Sequence, residues 1–319
     1  MGLLSRCNGL EIFVKKWVRQ LSVLLSLFFV VLIFSILTSA FLDQRNIINI
    51  LLQASINAVV AIGMTLVIIT AGIDLSVGSI VALTGIFAAK MMVSGVPTLY
   101  AILLAILGGA LCGVINGVLI SYVKLQPFLV TLGTMSLYRG LALIYSDGIP
   151  IINLPAKFLN NMNITNTSVP IPVIIMFLFA IIIFFIIKYL KLGEYIFAIG
   201  GNEEAARLSG VNVNRYKTIT YAISGIACAI AGIIFLGRLA AAEPMAGDSY
   251  ELDAIAAAAI GGASLSGGKG SILGTIIGAL ILSALRNGLT LLNVQAFYQL
   301  VAIGVIIIIA ISIDRYSSV

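Results

Sequence analysis

Apolar residues fill this chain in long blocks, separated by short polar or glycine-rich breaks. Four stretches, 46–73, 91–123, 158–187 and 287–313, hold no charged residue. All exceed the roughly 20 apolar residues that cross a hydrocarbon core, so each predicts at least one membrane-spanning helix. One such run could be a buried core helix; several in succession require a bilayer. Together the blocks predict about ten helices, near 21–42, 50–70, 76–94, 98–121, 126–146, 170–190, 216–237, 251–265, 271–292 and 296–314. The expected fold class is therefore an all-α integral membrane protein with glycine-rich breaks, a single transmembrane domain over 1–319.

Composition agrees. Hydrophobic residues make up 61% of the 319 and charged residues 9%, against about a quarter charged in soluble domains. The apolar run 21–42 follows Arg6, Lys15, Lys16 and Arg19 but exceeds the roughly 7–15 residues of a signal-peptide core, so it reads as the first span, with 1–20 as a cytoplasmic segment. With the N-terminus inside, the inner segments hold those four and Lys124, Lys188, Lys191, Arg207, Arg215, Lys217, Lys269 and Arg315. That is twelve of the 18 basic residues, the bias of the positive-inside rule. Arg45, Lys90, Arg139, Lys157, Arg238 and Arg286 remain for outer segments and helix ends, Arg139 and Arg286 being explicable by outer-end snorkelling. Ten spans leave both termini inside. The net charge of +6 is thereby explained by topology and needs no nucleic-acid partner.

Candidate chemistry is sparse. The chain has no histidine, and Cys7, Cys112 and Cys228 lie too far apart for a zinc or redox motif, reading instead as small packing residues. No nucleophile with a base, paired acids or metal cluster appears, so no catalytic and no metal site is expected. Gly262 to Gly270 superficially suggests a phosphate loop, but Gly268-Lys269-Gly270 lacks the GK[ST] end that holds phosphate and magnesium. These glycines fit a tight inner turn. The spacing Gly109/Gly113/Gly117 and Gly274/Gly278 predicts close helix packing.

Several polar segments stand out. Thr70 to Ser79 is a glycine-containing break between two spans, and Asp74 is the only acid between Asp43 and Asp147. Asp74 fits two readings, an N-cap of the next helix or an ionisable group in a transport path. Ser146 to Pro170 reads as an outer loop whose sequons at Asn163 and Asn166 carry no meaning in a bacterial host. Lys188 to Lys217 is the longest inner segment and contains a short helix with its ends written in. Asn202 is the N-cap, Glu203 and Glu204 suit the positive end of the dipole, Arg207 pairs with Glu203, and Gly210 stops the helix. Two turns do not persist alone in water, so this helix is either a docking element or an ordinary amphipathic linker. A third polar segment, Arg238 to Asp253, gathers Glu243, Asp248, Glu251 and Asp253 and is expected to face a soluble partner.

Taken in order, these motifs resemble the bacterial sugar permeases of ATP-binding-cassette (ABC) importers over nearly the whole chain. The resemblance rests on Ala71 to Ser79, on Gly200 to Ala205 with Arg207 to Gly210, on Ala246-Gly247 and Tyr250 to Ala257, on Gly267 to Gly270 and on Asn287-Gly288-Leu289. It implies an inner-membrane, homodimeric permease for ribose or a similar monosaccharide. A periplasmic or lipid-anchored sugar-binding protein would feed it, and a separate ABC ATPase would use ATP and magnesium, with no cofactor on this chain. It further implies that 191–215 is the coupling loop, with Gly201, Asn202, Glu203, Glu204, Ala205, Arg207, Leu208, Ser209 and Gly210 meeting the ATPase. Sugars are neutral and rich in hydroxyls, so Asn57, Thr65, Asp74, Ser76, Ser79 and Asn116 are candidates for the substrate path. Glu243, Asp248, Tyr250 and Glu251 are candidates for receiving the binding protein. The alternative is a stand-alone, ion-coupled sugar carrier with Asp74 as its ion-linked group.

Overall fold

The computed structural model describes residues 21–162 and 170–317. The basic N-terminal segment 1–20, Cys7 and the sequons at Asn163 and Asn166 lie outside them. The described residues form helices α1 (Leu21–Leu37), α2 (Gln44–Ile69), α3 (Val77–Val93), α4 (Thr98–Ser121), α5 (Pro127–Ser146), α6 (Ala156–Met162) and α7 (Ile171–Tyr189). There follow α8 (Lys191–Gly201), α9 (Glu203–Leu208), α10 (Val213–Leu239), α11 (Tyr250–Ile260), α12 (Ile272–Leu291) and α13 (Ala296–Ser317). Among the described residues there is no strand, only an isolated backbone bridge between Ile151 and Ala242. Six of these helices, α2, α4, α5, α7, α10 and α12, are long and apolar enough to cross a membrane. In lipid that is the expected solution, because a helix satisfies its backbone polar groups internally.

The helices form two shells. In α2, α10 and α12 the apolar stretches are 83%, 67% and 61% buried, whereas α4, α5 and α7 bury only 28–33% and turn leucines, isoleucines and phenylalanines outward. Outward apolar faces suit hydrocarbon contact, so hydrophobicity alone does not hold the bundle together; close packing does. Along α4 and α10, a Cβ at Gly113 would collide with the Tyr221 carbonyl and one at Gly225 with the Gly109 carbonyl. Likewise α12 approaches α11 so closely that a Cβ at Gly278 would strike the Ala257 carbonyl. The spaced glycines of the sequence are thus the contact stripes, and Cys112 and Cys228 are buried packing residues.

Three expectations are refined. The helix expected over 251–265 is α11, which has 11 residues, a rise of about 16 Å that falls short of a bilayer core of about 30 Å. Gly262, at φ +91°, ends it, and the chain turns back through Gly267 and Gly268. The segment 146–170 is not all loop: α6 seats Phe158 in the core, and Met162 packs where Gly237 of α10 leaves room. The inner segment 188–217 is largely helical, built from α8 and α9.

Candidate functional site

The break between α2 and α3 sits inside the bundle. Thr70 closes α2, Ala71 adopts the left-handed conformation at φ +58°, and Gly72 lies so near the Tyr221 hydroxyl that a side chain there would overlap it. Asp74 is fully buried. Its Oδ1 accepts from the Ser76 backbone N–H at 3.1 Å and the Ser76 hydroxyl at 2.6 Å, and its Oδ2 accepts from the Ser224 hydroxyl of α10 at 3.2 Å. The Asn116 amide of α4 donates to Ser76 Oγ at 2.8 Å, while the Tyr138 hydroxyl of α5 reaches the Cys112 carbonyl at 3.0 Å and Asn116 Oδ1 at 3.4 Å. The Thr131 hydroxyl of α5 donates to the Ile73 carbonyl at 3.2 Å. The N-cap of α3 is Ser76 rather than Asp74, whose carboxylate instead closes a short turn onto Ser76 just ahead of the helix; through this network four helices are tied together. Away from water, each of these polar groups must find a partner within the protein.

Of the sequence-selected path residues, Asp74, Ser76 and Asn116 meet in this network. Thr65 lies elsewhere on α2, where its hydroxyl shares a 2.7 Å hydrogen bond with Thr275 of α12. Asn57 is buried on α2, and Ser79 is buried with its hydroxyl lacking a partner among the described residues. Ser224, Tyr138 and Thr131, which complete the network, carry no local signal: Ser224 is 150 positions from Asp74.

A second irregular segment approaches from the opposite end. From Ala242, bridged to Ile151, the chain runs through 243–249 until Gly247 lies against Gly78 at the start of α3. Arg139, halfway along α5, fixes this path by donating from Nη1 to the carbonyls of Pro244 and Ala246, both at 2.8 Å. Arg139 therefore turns inward rather than snorkelling outward. The acidic residues of this segment also diverge. Asp248 is exposed, Glu243, Tyr250 and Glu251 are half-buried, and a Glu251 carboxylate oxygen lies beside Gly78. Asp253, expected to face a soluble partner, is instead buried and paired with Arg286 of α12 at 3.0 Å. That pair explains Arg286 better than the helix-end role its position suggests. The non-helical segment 243–249 thus packs against the first turn of α3, just past the break, an arrangement tolerated at membrane depth only where backbone is packed in protein or lines a cavity.

The third candidate, α9, lies at the far end of α10. Asn202 Oδ1 accepts from the Ala205 N–H at 2.9 Å, as an N-cap should. At the other end the Val211 N–H bonds the Ala206 carbonyl and the Gly210 N–H bonds that of Arg207, with Gly210 at φ +84°. This is a Schellman stop, closed by contact of Val211 with the buried Ala206. Glu203 pairs with Arg207 at 2.8 Å and also with Lys217 of α10 at 2.5 Å. The second pair was not legible from the sequence, because it depends on how α10 turns back. The inner face of α9 rests on Ile199 and Val213, while Leu208 is 81% exposed. The turn 262–270 lies at this same end, where the Gly268 N–H bonds the Ile69 carbonyl and packs against Gly200 and Gly201. Its glycines serve close contact. Among the described residues, no group of three His, Cys, Asp or Glu could hold a metal ion.

The family described as "Branched-chain amino acid transport system / permease component" matches residues 46–311. Ribose import permease protein RbsC of Bacillus subtilis (strain 168) is 48% identical over 302 residues, covering 94% of each chain. The protein of the same name from Escherichia coli (strain K12) is 44% identical over 315 residues, covering 97% of each. D-allose transport system permease protein AlsC of Escherichia coli (strain K12) is 42% identical over 279 residues, covering 87% of this chain and 86% of that one. No solved structure matches the chain. A buried break, a re-entering segment and a multi-helix membrane bundle accord with that match, and the chain belongs to this family of transport-system permease components.

Proposed function

We propose that this chain is the membrane-spanning subunit of an ABC importer carrying ribose or a similar monosaccharide across a bacterial inner membrane. A separate ABC ATPase supplies the energy from ATP and magnesium, a periplasmic or lipid-anchored sugar-binding protein delivers the sugar, and a second copy of the chain completes the pore. Both termini and α9 lie on the cytoplasmic side. The observation that carries this reading is α9 itself. It is capped at both ends and clamped to α10 through Glu203–Lys217, and it presents the apolar Leu208 and the exposed Glu204 away from the bundle. A two-turn helix so anchored transmits a push from a docked ATPase into α10, whose Ser224 and Tyr221 touch the Asp74 break.

In this reading the sugar passes where segment 243–249 meets the start of α3, near Ser79 and Glu251, and the Asp74–Ser76–Asn116 network is the hinge beside it. The segment bearing Glu243, Asp248 and Tyr250 receives the binding protein. The relatives' names supply the sugar class. A stand-alone ion-coupled carrier fits less well, because both carboxylate oxygens of Asp74 are already engaged by protein donors.

The test is reconstitution with the ATPase and the binding protein. Glu203→Lys and Gly210→Pro should each abolish ATP-dependent ribose uptake while the chain still inserts normally. Normal uptake in both variants would overturn the coupling role of α9.

A further inference from the structure

Between the α4–α5 turn and the start of α10 lies a cavity of about 280 Å³ that neither the break nor the exposed face of α9 uses. Lys124, Arg207 and Lys217 line it, with Glu203 as its one acidic lining residue. Glu203 already holds Arg207 and Lys217. Lys124 has no ion pair among the described residues, so the lining carries an excess of positive charge. Lys124 is placed by local structure: it adopts φ +62°, and the bonds from the Val123 N–H to the Val118 carbonyl and from the Leu125 N–H to the Leu119 carbonyl shape the turn around it. Pro127 and Asn214, in the first turns of α5 and α10, also line the cavity, so two long helices begin at its wall. Helix N-termini favour anions.

The surroundings decide which anion. Beside the cavity, Val118, Tyr122 and Val123 of the α4 end and Leu125, Phe128 and Leu129 of the α5 start are exposed, forming an apolar strip next to the cationic lining. A small soluble anion gains nothing from such a strip, whereas a lipid has acyl chains to lay on it. Basic pockets between helices on the cytoplasmic side suit anionic headgroups.

We propose that this cavity seats the phosphate-bearing headgroup of an anionic phospholipid from the inner leaflet, with its acyl chains along the exposed α4–α5 strip. The leaflet assignment rests on the orientation proposed above; the binding chemistry does not. Because Arg207 and Lys217 also clamp Glu203, an anion seated here offsets the unbalanced charge and steadies α9 against α10. Lipid charge thereby bears on the element proposed to meet the ATPase.

The test uses the full chain alone, without ATPase or sugar, so its outcome is independent of whether the transport reading holds. The purified protein is exposed to phosphatidylglycerol or phosphatidylcholine of matched acyl chains, and retained lipid is counted by native mass spectrometry. Preferential retention of phosphatidylglycerol is expected, falling about fivefold in Lys124→Gln, the change for one lysine at an anionic surface. Lys124→Arg should restore it, which separates lost charge from misfolding. Equal retention of both lipids, or retention indifferent to Lys124→Gln, overturns the proposal. Displacement of phosphatidylglycerol by inorganic phosphate alone overturns it in favour of a soluble anion.

Discussion

The Asp74 break and helix α9 are both short polar interruptions of an apolar chain, yet opposite kinds of interaction hold them. The break has some local support, from the Ser76 bonds to Asp74 and the backbone turn that closes α2, but its other partners, Asn116, Thr131, Tyr138 and Ser224, come from three other helices. In α9 the N-cap, the C-terminal stop and the Glu203–Arg207 pair all lie within ten residues of one another, and Lys217 adds a single tertiary tie. The lesson concerns solvent. At membrane depth an unpaired polar group costs several kcal/mol, so a buried break survives only when the whole bundle satisfies it. At a wet end, water satisfies whatever the protein leaves, and a few local bonds suffice.

Four substitutions sharpen that contrast, in order of falling effect. Arg286→Ala strands the buried Asp253 carboxylate, and the loss should be about 3–5 kcal/mol, seen as a large drop in the melting temperature in detergent. The double variant Asp253→Ala/Arg286→Ala should recover much of it. Asp74→Ala leaves the Ser76 N–H and the Ser76 and Ser224 hydroxyls without their acceptor. A loss of about 2–4 kcal/mol follows, and an unchanged melting temperature would show that the break does not depend on this network. Asn202→Ala removes a cap worth about 1 kcal/mol; amide exchange should quicken about fivefold within 203–208 only, with the bundle's melting unaltered. Arg207→Ala breaks an exposed i,i+4 pair, and its effect on melting should be under about 0.5 kcal/mol.

Much of the fold was legible because a bilayer imposes a simple rule on sequence. The boundaries of α4, α5, α7 and α12 fall within a residue or two of their apolar blocks, since leaving an apolar stretch means leaving the hydrocarbon. Helix α9 was equally legible, as Asn202, Glu203, Arg207 and Gly210 act on near neighbours. Asp253 misled because its acidic neighbours suggest an outer surface, whereas Gly247 and Arg139 draw that segment inward and Arg286 meets the charge from another helix. The cavity beside Lys124 was likewise invisible, being assembled from the α4–α5 turn, α9 and α10.

The amino-acid sequence alone determined that the chain must live in lipid, where its helices run, how α9 begins and ends, and which glycines let helices touch. Each of these follows from solvent preference or from bonds between residues a few positions apart. Only the tertiary structure decided which polar groups answer one another across the bundle: Asp74 with Ser224, Asp253 with Arg286, Glu203 with Lys217. Those pairings depend on the packing of distant helices, and no periodicity along the chain records which face of one helix will meet which face of another.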